Sequence, residues 1–482
     1  MARVIAAWLA ASLTASFTVG LAAQPVDDSD IARAVASDLA RDPVVAEDGL
    51  GVSVDDGIVR LSGTAKSLLV RDRAVQVAQM IRGVRAVIPA IDISTNPDLG
   101  APGLEGDVSA ALLADPAADS WQIEVNAEAE GAVLLTGTVD SWAEKQMADQ
   151  IARGVLGVTK VVNQLTVAPD QDRLDKDIHA DIRSNLEWDL LVDADQIDVS
   201  VRDGVVRLSG AVGSAVEKAE AVYDASVVGV REVVEDELTV EPWAQEPNRR
   251  LATAQIRTDR AITEAVRAAL RRDPRLSRLR LTPTVTDGVV TLTGVVPSLQ
   301  AKRIAEQDAR RTVGVRAVTN ALEVMATEDP VTAEQRIAAA LARSAFLQGS
   351  EVRVTVRNGT ARLTGQVQRP YQRQQAEALA GQVAGIQAVQ TDIAVATPDP
   401  LPQDAAGMDR TDREIADAIQ TELFWSAVVD VGAVNVSVSD GVARLSGQVS
   451  GWPARRAAVV QAYEGGAREV VDALRIARPG EG

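Results

Sequence analysis

Few residues in this chain can do covalent chemistry. Its 482 residues include no cysteine and one histidine, His179. Thiol nucleophiles, disulfides and thiolate metal sites are therefore excluded, and so is a histidine-rich metal centre. A catalytic histidine needs a nucleophile and an orienting carboxylate held beside it. Nothing in the spacing around His179 supplies either, and it follows Ile178 on an apolar helical stripe, so it reads as a solvent-facing structural residue. The acidic runs Asp27-Asp28-Ser29-Asp30 and Asp170-Gln171-Asp172 lack the looped spacing ending in a bidentate Glu that holds calcium. They read as linkers and helix caps. Glycine pairs six residues apart recur, but they flank strands and no Lys-Ser or Lys-Thr follows them, so they are not phosphate loops. No catalytic residue, metal site or cofactor is expected.

Charge offers more. The formal balance is −19, which argues against nucleic acid as a partner, because phosphate neutralisation needs clustered cations. From Asn248 to Leu281, however, ten arginines stand against three acids, a local balance of +7. Arg260, Arg267 and Arg271 share a helix face opposite Ile262 and Val266; Arg272, Arg275, Arg278 and Arg280 follow. Two readings stay open: a site for anionic phospholipid headgroups, or a solvated helix back docked on an acidic neighbour. Trp142, Trp188, Trp425 and Trp452 recur at equivalent places, which points to packing at helix ends; the alternative is an interfacial lipid anchor.

The N-terminus reads Met1-Ala2-Arg3, an apolar run, then Gly20-Leu21-Ala22-Ala23. Residues 1–23 are expected to be a cleaved export signal and the mature protein periplasmic; the alternative is a retained anchor. No later stretch is long and apolar enough to span a bilayer.

What positions these residues is a sixfold internal repeat. Turn glycines Gly57, Gly131, Gly204, Gly288, Gly359 and Gly441 each precede, by six residues, a second glycine closing a Leu-Ser-Gly or Leu-Thr-Gly strand end. A third glycine follows, as in Gly229-Val230. Asp203-Gly204 between alternating strands predicts a tight type I′ hairpin. Before it, Ile178, Ile182 and Leu186 form a helical stripe. Asp30, Asp177 and Thr258 are expected near helix caps, and Ser141-Trp142-Ala143-Glu144 and Ser214-Ala215-Val216-Glu217 match the capping box. The third glycine is expected to cap the second helix. In repeat 2 the first helix looks shortened to Val108–Ala114.

Each repeat is thus helix–strand–strand–helix–strand. The expected fold is α+β: tandem small αββαβ domains, each a three-stranded mixed sheet with two helices on one face. Expected boundaries are 30–94, 107–167, 173–240, 258–325, 332–396 and 409–477. The short link Ala168–Asp172 suggests that repeats 2 and 3 pack as a pair. Thr397–Asp409, with its three prolines, suggests a semi-rigid spacer.

The Asp203-Gly204 turn, the Leu208-Ser209-Gly210 strand end and Gly229-Val230 resemble the BON domain, named for bacterial osmotically induced and nodulation proteins. The resemblance extends over six copies. It implies an envelope location and roles in osmotic-stress protection, phospholipid binding and assistance to outer-membrane proteins. It brings no catalytic residues. The function it implies is non-enzymatic, with anionic phospholipid headgroups or envelope proteins as partners; the alternative is a passive scaffold or spacer.

Overall fold

The computed structural model describes residues 26–46, 49–94, 101–115, 123–169, 173–244, 257–326, 329–396 and 411–477. The N-terminal run 1–23, Arg249, Arg250 and all of Thr397–Asp409 lie outside them.

Repeat 3 shows the plan. A first helix (Asp175–Trp188) leads to a hairpin (Ile197–Arg202 and Val205–Val212), then a second helix (Ala215–Asp224) and a third strand (Glu232–Val240). The second strand is central, antiparallel to the first and parallel to the third. The same order recurs in every repeat. Repeat 2 splits its third strand into Lys160–Asn163 and Thr166–Val167, both paired with the central strand. The first-helix stripe Ile178, Ile182 and Leu186 packs on Val206 and Leu208 of the sheet and Ala221 of the second helix. All six cores are built this way from aliphatic side chains. The α+β class follows from the sequence periodicity, because helix stripe and strand alternation each have one buried face.

Local details both match and depart from expectation. At the turn, Asp203 (φ 52°) and Gly204 (φ 76°) both take left-handed conformations, as a type I′ turn requires. Ser141 and Ser214 accept the N–H of Glu144 and Glu217, and the Glu217 carboxylate accepts from Gly213 N–H at 2.9 Å. Thr258 caps its helix, but Asp30 and Asp177 do not: the caps are Asp27 and Leu174. The first helix of repeat 2 is not shortened, and runs Ala101–Ala114. Pro102 is tolerated in a first turn, and Gly103 and Gly106 disguised the start. The third glycine does not cap the second helix either. Gly229 (φ 94°) lies beyond the C-cap Ala225, in the turn entering the third strand. A Cβ there would sit 3.1 Å from Ile178 Cδ1; the glycine lets the first helix approach.

One conserved-looking device went unread in the sequence. Asp175, in the first turn of its helix, accepts the N–H of Asp203 (2.8 Å) and of Gly204 (3.0 Å). Asp28, Asp259 and Asp412 do the same for the turns of repeats 1, 4 and 6, each 29 residues before its turn glycine. The carboxylate thus pins the hairpin tip to the helix that covers it. Repeats 2 and 5 have Pro102 and Pro330 there instead.

The repeats do not lie in a line. They pair 1 with 6, 2 with 5 and 3 with 4, always by the same seam. The end of one repeat's first helix meets the end of its partner's second helix in a short antiparallel bridge: Ser426 with Ile81, Ser344 with Val155, Asp189 with Thr312. In pair 3·4, Val313 N–H donates to Trp188 O at 2.9 Å and Leu190 N–H to Arg311 O at 3.3 Å. Neighbours within a layer pack through the start of the second helix. Leu68 of repeat 1 joins the core of repeat 2, and Trp142 of repeat 2 that of repeat 3. Arg85 of repeat 1 donates to Val240 O of repeat 3 at 3.0 Å, closing a triangle. In the other layer repeat 4 touches 5 through Leu299 and 6 through Trp452. Repeats 2 and 3 therefore do touch, but the seam partner of repeat 3 is repeat 4. The contact pattern is that of three pairs of repeats joined within one chain.

Replacing Asp175 with Ala should leave two turn N–H groups without their charged acceptor. The expected cost is ~1–3 kcal/mol, with faster amide exchange at Gly204 than in the wild type; unchanged exchange there would show the clamp to be incidental.

Candidate binding surface and the seams between repeats

The arginine-rich segment of repeat 4 divides into two sets. The first set holds the repeats together. Arg272, the last residue of the first helix, is almost wholly buried and pairs with the fully buried Asp224 of repeat 3; its guanidinium lies 4.7 Å from the centre of the Tyr223 ring. Arg275 pairs with Asp115 of repeat 2 at 2.9 Å, and Arg278 with Asp140 of repeat 2 at 3.0 Å. Arg257 stacks on Trp188 of repeat 3 at 4.6 Å. Cations at the C-terminal end of a helix also suit its dipole. Sequence reasoning missed Asp224, Asp115 and Asp140, which lie far away in the chain.

The second set faces solvent. Arg260 and Arg271 are exposed on the first helix, and Arg280 is exposed just before the hairpin. Arg267 is half-buried and pairs with Glu264 at 2.7 Å. The Arg267 hydrogen bond, with Arg271 and Arg260 nearby, holds the Glu264 carboxyl below its ordinary value. One acid thus sits among three arginines on this face.

Trp142, Trp188, Trp425 and Trp452 each meet a second repeat. Trp188 covers the core of repeat 4, Trp425 and Phe346 that of repeat 1, and Trp142 lies between the cores of repeats 2 and 3. Trp452 carries Arg310 of repeat 4 over its ring at 4.4 Å. The six turn glycines sit at the hairpin tips with φ between 71° and 80°. His179 is half-buried on the first helix of repeat 3. Among the described residues no group of three or more His, Cys, Asp or Glu could hold a metal, and no helix is long and apolar enough to cross a membrane.

The seams gather carboxyl groups in poor solvent. Burial pushes Asp224 well above its ordinary value, against the opposing charge of Arg272. Burial and the neighbouring Asp273 raise Asp308, on the second helix of repeat 4, to about 7. In seam 1·6, Asp38 is raised to about 7, chiefly by burial, with Arg41 opposing and Glu422 and Glu464 adding.

These features define a class: a chain of αββαβ domains packed on one another, with a charged outer helix on repeat 4. The chain belongs to the BON domain family, whose domain matches residues 27–95, 102–169, 174–242, 258–326, 329–397 and 411–478. It is 33% identical over 146 residues to osmotically-inducible protein Y of Escherichia coli, covering 29% of this chain and 72% of that protein. It is also 33% identical over 108 residues to outer membrane lipoprotein DolP of Haemophilus influenzae, covering 22% of this chain and 56% of that one. A solved structure of CdsD, a structural protein of the type III secretion system of Chlamydia trachomatis, aligns over 49% of this chain and 99% of its own at 16% identity. Its TM-score of 0.13 is too low to bear on the argument.

Breaking the Arg272–Asp224 pair leaves a buried charge uncompensated. Arg272→Met alone should cost ~3–5 kcal/mol in urea denaturation, and the double variant Arg272→Met/Asp224→Leu should recover most of it. If the single and double variants were equally unstable, packing rather than charge would hold this seam. A second expectation concerns pH. A raised carboxyl contributes stability that is complete below the unfolded value near 3.8 and is lost as pH rises through the folded value of about 7. The urea midpoint should therefore fall between about pH 4 and 7 and level off above that, and Asp308→Asn should flatten the fall.

Proposed function

We propose that this chain is a non-enzymatic protein of the bacterial envelope that binds anionic phospholipid headgroups through the first helix of repeat 4 and supports the envelope under osmotic stress. The observation that carries this reading is an arginine face in a chain of net −19, with Arg260 and Arg271 exposed and Arg267 half-buried between them. Arg257, Arg272, Arg275 and Arg278 of the same segment are engaged with other repeats, which leaves this face as a local basic surface on an acidic body. Arg280 extends it towards the hairpin. The names of the relatives, one osmotically inducible and one an outer-membrane lipoprotein, support the envelope setting. The N-terminal run 1–23, read as an export signal, supports a periplasmic place. Cytoplasmic-side electrostatics suggest the scale: ~1 kcal/mol per arginine at an anionic surface, so three give ~3 kcal/mol.

The runner-up is a passive spacer whose length is set by repeat number. The nested pairing of repeats speaks against it, because adding or removing a repeat would change partners rather than length. Assistance to unfolded outer-membrane clients draws on family resemblance alone.

Flotation with phosphatidylglycerol vesicles tests the lipid reading. The full chain should float with them and not with phosphatidylcholine, and salt should weaken binding. Arg260→Gln/Arg267→Gln/Arg271→Gln should weaken binding ~100-fold with an unchanged thermal midpoint. Equal flotation of wild type and triple variant would sink the proposal.

A further inference from the structure

The junction between repeats 4 and 6 differs from its counterparts in the same architecture. At the junction of repeats 1 and 3, Arg85 donates to Val240 O at 3.0 Å, and also pairs with Glu241 at 3.6 Å and Asp56 at 2.7 Å. At that of repeats 5 and 4, Gln387 Nε2 donates to Val324 O at 3.1 Å. The corresponding residue of repeat 4 is Arg316. Among the described residues its hydrogen bond is to the carbonyl of Asp287, in its own hairpin turn, at 3.1 Å.

The facing strand end explains the change. Repeat 3 presents Thr239-Val240-Glu241 to Arg85, whereas repeat 6 presents Arg475-Ile476-Ala477 to Arg316. The carboxylate has become an alanine, and an arginine has been added. The two surfaces do not close. Between them lies an open cleft of about 600 Å³ lined by Arg316, Arg455 and Arg475, by the apolar residues Val289 and Ile476, and by Leu474, whose side chain belongs to the core of repeat 6, with no carboxylate in its lining. Arg455 is held by Asp472 at 2.8 Å and by the Trp452 ring at 5.1 Å. Arg475 is exposed and has no hydrogen bond or ion pair among the described residues. Cations thus converge where the equivalent junction supplies its own anion.

We propose that this junction binds a small amphiphilic anion: one carboxylate or phosphate head on an unbranched alkyl chain. Guanidinium forks take oxyanions bidentately, and the Val289 and Ile476 side chains take the alkyl part. The site lies on the hairpin end of repeat 4 and the third strand of repeat 6, so it is distinct from the first-helix face assigned to membrane headgroups. Its ligand is a monomer in solution, not a vesicle.

Isothermal titration of the full chain with decanoate, below the concentration at which it forms micelles, tests this. Decanoate and decyl phosphate should each bind at one site, with inorganic phosphate at least ~10-fold weaker and decanol undetectable. Arg316→Gln/Arg475→Gln should weaken decanoate at least ~10-fold. Arg475→Glu should place a carboxylate in the cleft beside Arg316, abolish decanoate binding and raise the thermal midpoint of the ligand-free chain. No decanoate binding by the wild type, binding unchanged in the double variant, or phosphate binding as tightly as decanoate would overturn the proposal. None of these outcomes depends on vesicle flotation.

Discussion

An α-helix leaves its last carbonyl groups without partners, and this chain solves the problem between repeats. Trp188 O and Arg311 O, each on the last residue of a helix, accept N–H groups from the opposite repeat. Trp425 O and Arg343 O do the same in the other two pairs. Each pair therefore joins the first-helix end of one repeat to the second-helix end of the other. Once that pairing is made, the arginines at those ends fall opposite the acids of the partner, where they suit both the helix dipole and the buried carboxylates.

The division of side chains follows from this. The buried cores within repeats are aliphatic, which a small αββαβ unit with two short helices can fill with Val, Ile, Leu and Ala. The scarce aromatics are placed mainly at junctions: Trp142, Trp188, Trp425, Phe346 and Tyr223 all meet a neighbouring repeat. A junction must join two rigid bodies across an irregular gap, and a large flat ring that also accepts a guanidinium over its face does so at low entropic cost. An even number of repeats satisfies every seam.

The same architecture sets where binding can occur. Positions that are equivalent in the six repeats are used for closure in some and left open in others. Arg85 finds a carboxylate and a carbonyl; Arg316, at the same position, lines an open cleft with Arg475. Arg272 is committed to Asp224, while Arg271, one residue earlier, points to solvent. Repetition supplies the scaffold, and departures from it supply the surfaces.

The sequence by itself determined the repeat, its elements and the hairpin turns, because these rest on short-range periodicity and on residues such as Asp203-Gly204 that specify their own backbone. It also marked repeat 4 as the odd member through its arginines. Even the Asp175 clamp was legible in principle, as an aspartate at a fixed spacing before four of the turns. Which arginines are free was not legible. Arg272, Arg275 and Arg278 look no different in sequence from Arg260, Arg271 and Arg280; only the approach of Asp224, Asp115 and Asp140 separates them. The pairing of 1 with 6, 2 with 5 and 3 with 4, and the cavity between repeats 4 and 6, were decided by tertiary structure alone. They depend on surfaces brought together across up to the length of the chain, and no local pattern records which of six similar ends will meet.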